Sequence, residues 1–142
     1  MKPPGSLAAP VAASGLAGIA CFQAALALGA PWGQAAWGGA QTHLPPQLRV
    51  SSAVSAVVLA LAVLVVLARA EYWGPARAMS ILRWGTWALI PVLALSALGN
   101  FASANRWENL LMGPFALMLS LLCLVVARIP FALQAPGQTG SC

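Results

Sequence analysis

Apolar positions in this chain fall into four long runs, broken by short polar interruptions. No Asp, Glu, Lys or Arg occurs from Pro3 to Leu48, and Val50 to Ala68, Trp84 to Asn105 and Asn109 to Ala127 are equally free of charge. About 20 residues at a rise of 1.5 Å cross a hydrocarbon core of roughly 30 Å, so each run can span a bilayer. The pattern predicts helices at about 7–30, 50–69, 79–100 and 106–128. The second is rich in Val and Leu, a composition that favours a strand in water; in lipid, a backbone must satisfy its own hydrogen bonds, which makes it a helix. Pro91 falls mid-run in the third and predicts a kink there. The fourth must run through Gly113 and Pro114, because a helix starting at Pro114 is too short to span before Arg128. The brief connection from Phe101 to Trp107 makes the third and fourth an antiparallel hairpin. The expected architecture is all-α: a four-transmembrane-helix bundle forming a single integral membrane domain over 1–142, with 129–142 as a flexible tail.

One long stretch, GAPWGQAAWGGAQTHLPPQLR from Gly29 to Arg49, cannot be a membrane helix. Pro31, Pro45 and Pro46 fix φ, Gly33 and the Gly38-Gly39 pair supply bends, and Trp32 and Trp37 suit the headgroup level. These features predict an ordered extracytoplasmic loop, packed as a cap between helices 1 and 2. Helix 1 is rich in small residues, and Ser14, Gly18, Cys21 or Phe22, Ala25 and Gly29 recur at spacings of three or four, a stripe expected to be its packing face. A competing account of helix 1 is a cleaved signal peptide with Ala25-Leu26-Ala27 as the cleavage site, against which stand a single Lys and an overlong apolar run.

Composition agrees with the pattern: 61% of the 142 residues are hydrophobic and 6% are charged, against roughly 25% charged in a soluble domain. The net charge of +5 comes from singly scattered residues, with no patch for a nucleic acid. The scatter instead orients the chain. Lys2, Arg69, Arg77, Arg83 and Arg128 fall on one side and Arg49 and Arg106 on the other, which places both termini in the cytoplasm of a multi-pass cell-membrane protein. Cys21, Cys123 and Cys142 form no paired motif.

Polar residues gather at the outer end. Gln23, His43, Arg49, Ser51, Ser55, Ser96, Asn100, Ser103, Asn105, Arg106 and Glu108 all fall there, against Ser80, Thr86 and Ser120 in the inner half. The candidate ligand-binding set is Gln23, Trp32, Trp37, His43, Arg49, Ser55, Ser96, Asn100 and Glu108, arranged as an outward-facing polar pocket. The competing account is that these side chains hydrogen-bond neighbouring helices or their own backbone. Glu108 has two readings: a lone acid suited to binding or proton transfer, or the reciprocal partner of Asn105 in a capping box. Arg49 and Glu108 are expected at the same depth, which predicts an ion pair. One His and two acids supply no metal-site spacing and no cofactor motif, and no catalytic set is assigned.

The segments GAPWGQAAWGG (Gly29 to Gly39), LPPQLRVSS (Leu44 to Ser52) and NFASANRWENLLMGP (Asn100 to Pro114) resemble those of uncharacterised small four-helix integral membrane proteins of bacteria. Their pattern is a GxPWG/WGG loop, an LPxxLR step with a following Ser, and an N-x-x-S turn followed by an acid and a proline. The chain departs from it at Asn109, where a basic residue is expected after the acid. The resemblance implies the fold and a bacterial inner membrane, and it carries no activity. The favoured function is therefore non-enzymatic binding of a partner, lipid or small ligand at the extracytoplasmic face. Membrane lipid is the expected partner, with room for a membrane-protein partner or a homo-oligomer. The alternatives are a small transporter or channel component, and an intramembrane enzyme using Glu108 and His43.

Overall fold

The computed structural model describes residues 7–70 and 79–128. The expected 129–142 tail, the Tyr72 to Pro75 turn and Lys2 lie outside the described residues. Four helices form the bundle: α1 (Ala8–Leu28), α2 (Pro46–Arg69), α3 (Met79–Ala102) and α4 (Gly113–Ala127), the last preceded by a π-helical segment, Glu108–Met112. All four spans are long and apolar enough to cross a membrane, the fourth by running from Glu108 to Ala127 over 20 residues, or about 30 Å. Two antiparallel hairpins, α1 with α2 and α3 with α4, pack side by side.

The end of the bundle away from the Gly29–Arg49 loop is closely packed. Ala9, Ala12, Ala13 and Leu16 of α1 meet Ala62 and Val66 of α2, Leu93 of α3, and Leu119, Cys123 and Val126 of α4. Alanines and Gly15 let the backbones approach: a Cβ on Gly15 would lie 2.6 Å from Leu119 Cδ2. The packing face is thus not the expected stripe. Ser14, Gly18 and Cys21 are exposed, and nothing lies within 4 Å of a Cβ on Gly18. Small size was the wrong criterion alone, since alanine is nearly as small and Leu16 fills the gap between helices.

Each helix end has a chemical cause. α1 stops at Gly29, whose φ of 100° allows Ala30 N–H to donate to Ala25 O and Gly29 N–H to Leu26 O. α2 begins at Pro46, four residues before the expected start, because a proline at the first helical position has the right φ and lacks only an N–H that has no partner there. In the fourth span, Gly113 N–H donates to Glu108 O, an i to i+5 bond. Pro114 has no N–H for the carbonyl of Leu110, and the wider turn before it absorbs that loss. Across the α3–α4 hairpin, Asn109 Nδ2 donates to Phe101 O at 2.7 Å, capping the last turn of α3, and Ser120 Oγ donates to Ile90 O at 3.0 Å, beside Pro91.

Candidate functional site

The Gly29–Arg49 loop folds back over one end of the bundle. Gly33 N–H donates to Thr42 O at 2.9 Å, closing the loop on itself, and a Cβ on Gly33 would stand 2.5 Å from Gln41 O. Ala36 and Leu44 are buried against Leu26, with Phe22 and Leu48 packed beside them. The chain then turns through three successive residues of positive φ: Trp37 at 54°, Gly38 at 83° and Gly39 at 71°. For Trp37 this conformation costs about 1–2 kcal/mol, and its indole Nε1–H is tied to Ser52 Oγ at 2.9 Å.

That turn aims a backbone donor at the fourth span. Gly38 N–H donates to Glu108 Oε1 at 2.7 Å. Next to it, Asn105 Nδ2 donates to Gln34 O at 2.9 Å, and the space a Gly39 Cβ would need lies 2.7 Å from that nitrogen. Three contacts therefore pin the loop: one to α2 and two to the start of the fourth span. Half of the expected capping box forms. Asn105 Oδ1 accepts from Trp107 N–H, but Asn105 N–H goes to Ser103 Oγ and Glu108 turns inward, 7% exposed.

Beneath the loop lies a cavity of about 620 Å³ bordered by all four spans. Gln23, Trp37, Ser55, Ser96, Asn100 and Glu108 line it, so six of the nine candidate residues are brought together. The other three are not. Trp32 stacks on Phe22, rings 6.3 Å apart and 2° from parallel. His43 is exposed in the loop and does not line the cavity. Arg49 donates from Nε to Ala27 O at 2.9 Å, at the negative end of α1. The expected Arg49–Glu108 ion pair is therefore not formed: equal depth does not put two side chains on facing helix surfaces, and each has a backbone partner closer by.

The cavity is also less polar than expected. In every span apolar lining residues lie about a turn or more deeper than a polar one: Ile19 below Gln23, Val58 and Leu59 below Ser55, Val92 and Leu93 below Ser96 and Asn100, and Met112 and Ala116 below Glu108. Eight residues separate Glu108 from Ala116, so the space runs about 12 Å along the axis. It opens sideways between α2 and α3, where the lining residues Val54, Val58 and Val92 are 58%, 50% and 55% exposed. Among the described residues Glu108 is its only charged lining side chain, and Gln23 Oε1 is buried without a hydrogen-bond partner.

Sequence reasoning missed Gly38 and Ser52. Gly38 acts through a backbone N–H, which no residue type announces. Ser52 is fully buried, while its neighbour Ser51 bonds back to Gln47 O of its own helix; their order could not be read from composition. Comparison with protein-family models, with curated proteins and with solved structures finds no match to this chain.

Proposed function

We propose that this integral membrane protein binds a single-chain amphiphile drawn from the bilayer, without chemical conversion. The carrying observation is the cavity: about 620 Å³, within the roughly 300–1,000 Å³ of small-molecule sites, apolar at depth and polar under the loop. Its length of about 12 Å fits within one leaflet's share, about 15 Å, of the hydrocarbon core. The lateral opening between exposed valines of α2 and α3 gives an acyl or alkyl chain a path that never leaves hydrocarbon. Below the cavity the core of Leu16, Val66, Leu119 and Val126 is fully buried, which supports a binding pocket over a conduit. Glu108 and His43 do not share the cavity, which supports binding over hydrolysis.

The loop-bearing end is assigned to the extracytoplasmic face of a bacterial inner membrane and both termini to the cytoplasm. The support is the basic bias, with Lys2, Arg69, Arg77, Arg83 and Arg128 on one side against Arg49 and Arg106 on the other.

The reading is tested by native mass spectrometry of the protein released from phosphatidylcholine nanodiscs loaded with lauryl alcohol. A one-to-one adduct is expected for the unaltered chain. Gly99 lines the loop end of the cavity with nothing within 4 Å of a Cβ, so Gly99→Phe should fill the space beneath the loop, abolish the adduct and leave the fold intact. Lauryl alcohol retained equally by both proteins overturns the assignment of the site.

A further inference from the structure

We infer that the head of the bound amphiphile carries a primary ammonium, recognised by Glu108; this rests on the binding reading above and specifies its ligand. Three observations converge on a cation. The first is an uncompensated charge. Glu108 is 7% exposed, one oxygen accepts only a neutral backbone N–H, and Oε2 has no hydrogen-bond partner among the described residues. No Lys or Arg lines the cavity among those residues, and Arg49 is held at Ala27 O. A carboxylate buried at this depth without a counter-charge is costly, and a bound cation removes the cost.

The second is the balance of fixed donors and acceptors under the loop. Of the donors near Glu108, Gly38 N–H goes to Glu108, Trp37 Nε1–H to Ser52 and Asn105 Nδ2 to Gln34 O, while the neutral side chains Gln23, Ser55, Ser96 and Asn100 face the cavity with donor and acceptor atoms alike. What these neutral groups leave unbalanced is the surplus negative charge of Glu108, whose Oε2 is free to accept, and Gln23 Oε1 is a further acceptor without a partner. An ammonium offers three donors and no acceptor, which complements that surplus; a carboxylate or phosphate head placed against Glu108 meets repulsion and finds no free cation. The third is Trp37, which lines the same space and carries a ring whose quadrupole attracts cations.

Two sources present this chemistry, a free long-chain amine and a lysolipid with an ethanolamine head. They differ in the phosphate beside the ammonium, so separate probes distinguish them.

The test compares laurylamine, lysophosphatidylethanolamine, lauryl alcohol and lauric acid in neutral phosphatidylcholine nanodiscs, titrated against the unaltered protein and read as adduct occupancy by native mass spectrometry. At least one ammonium probe should bind about tenfold or more tighter than lauryl alcohol, as one charge-assisted hydrogen bond in a dry site gives, and lauric acid should bind weakest. E108Q should bring the ratio of ammonium probe to alcohol close to one. If E108Q does not fold, the head-group series on the unaltered chain decides alone. Lauric acid binding as tightly as the ammonium probes, or the alcohol doing so, overturns the ammonium inference and leaves the amphiphile site standing. Absence of any adduct with all four probes overturns both.

Discussion

Removing the Glu108 carboxylate should free the loop before it loosens the bundle. Glu108 Oε1 accepts from Gly38 N–H at 2.7 Å, and a hydrogen bond to a charged acceptor contributes about 1.5–3 kcal/mol. The other two tethers, Trp37 to Ser52 and Asn105 to Gln34, pair neutral groups at about 0.5–1.5 kcal/mol each, so the carboxylate is the strongest of the three. Gly38 is itself exposed and regains a water partner when Glu108 is truncated, so the lower end of the range applies. A loss of about 1.5–2 kcal/mol raises the opening constant of the loop roughly 10- to 30-fold. The measurement is amide hydrogen exchange in nanodiscs, read on the peptide spanning residues 33–40, because the exchanging group is the donor itself. Glu108→Ala should accelerate exchange there by that factor, and Glu108→Gln, which keeps a neutral acceptor, by about half as much in free energy. Amides of α1 and α4 should keep their rates. Unchanged exchange at Gly38 in Glu108→Ala would refute the clamp; equal acceleration throughout the bundle would show that Glu108 holds the fold and not the loop.

The glycines allow paired comparisons by thermal denaturation in detergent. Gly39→Ala meets both a left-handed backbone and Asn105 Nδ2 at 2.7 Å, whereas Gly38→Ala has open space and should cost only the backbone term of about 1–2 kcal/mol; equal losses would reject the Asn105 contact. Gly15→Ala drives a Cβ to 2.6 Å from Leu119 Cδ2 while Gly18→Ala touches nothing, so the first should destabilise by about 1–3 kcal/mol and the second stay within about 0.5. For orientation, reporter domains fused after Gly137 and inserted between Gln41 and Thr42 should read cytoplasmic and extracytoplasmic respectively; an external signal at Gly137 rejects the proposed topology.

The spans were legible because charge is excluded from hydrocarbon over whole segments, a signal that survives any local irregularity. Their ends were not equally legible. The Pro45-Pro46 pair reads as loop because each ring fixes φ, yet at the first helical position the ring of Pro46 starts a helix. The cavity was legible in part for the same reason as the spans: Gln23, Ser55, Ser96, Asn100 and Glu108 are polar residues on helices of apolar surroundings, and one space collects them. Residues supplied by the loop were harder to place. The positive φ at Trp37 sets which of its two tryptophans enters the cavity, and that angle is unfavourable for tryptophan, so propensity argues against the conformation found. Equal depth pairs Arg49 with Glu108, but depth leaves the direction around each helix undetermined.

That direction is itself set by a residue outside the site's polar set. A π turn inserts one extra residue into the helical ladder, and at 3.6 residues per turn this rotates everything before it by about 100° relative to the helix that follows. The segment Glu108–Met112 lies immediately ahead of Gly113 and Pro114, so the face that α4 packs into the core does not continue in register to Glu108. Ala116, Leu119, Ser120 and Cys123 are buried on that face. An unbroken α-helix extended back from these positions sets Asn109 about 20° from Ala116 and puts Glu108 at the edge of the face, about 80° from Ala116 and about 20° from Leu119. The π turn before Pro114, which has no N–H for the carbonyl of Leu110, shifts Glu108 by one helical position toward the middle of that face, where it meets Gly38. The acid, the proline six residues later and the glycine turn act together as one device, although only the acid carries chemistry of its own.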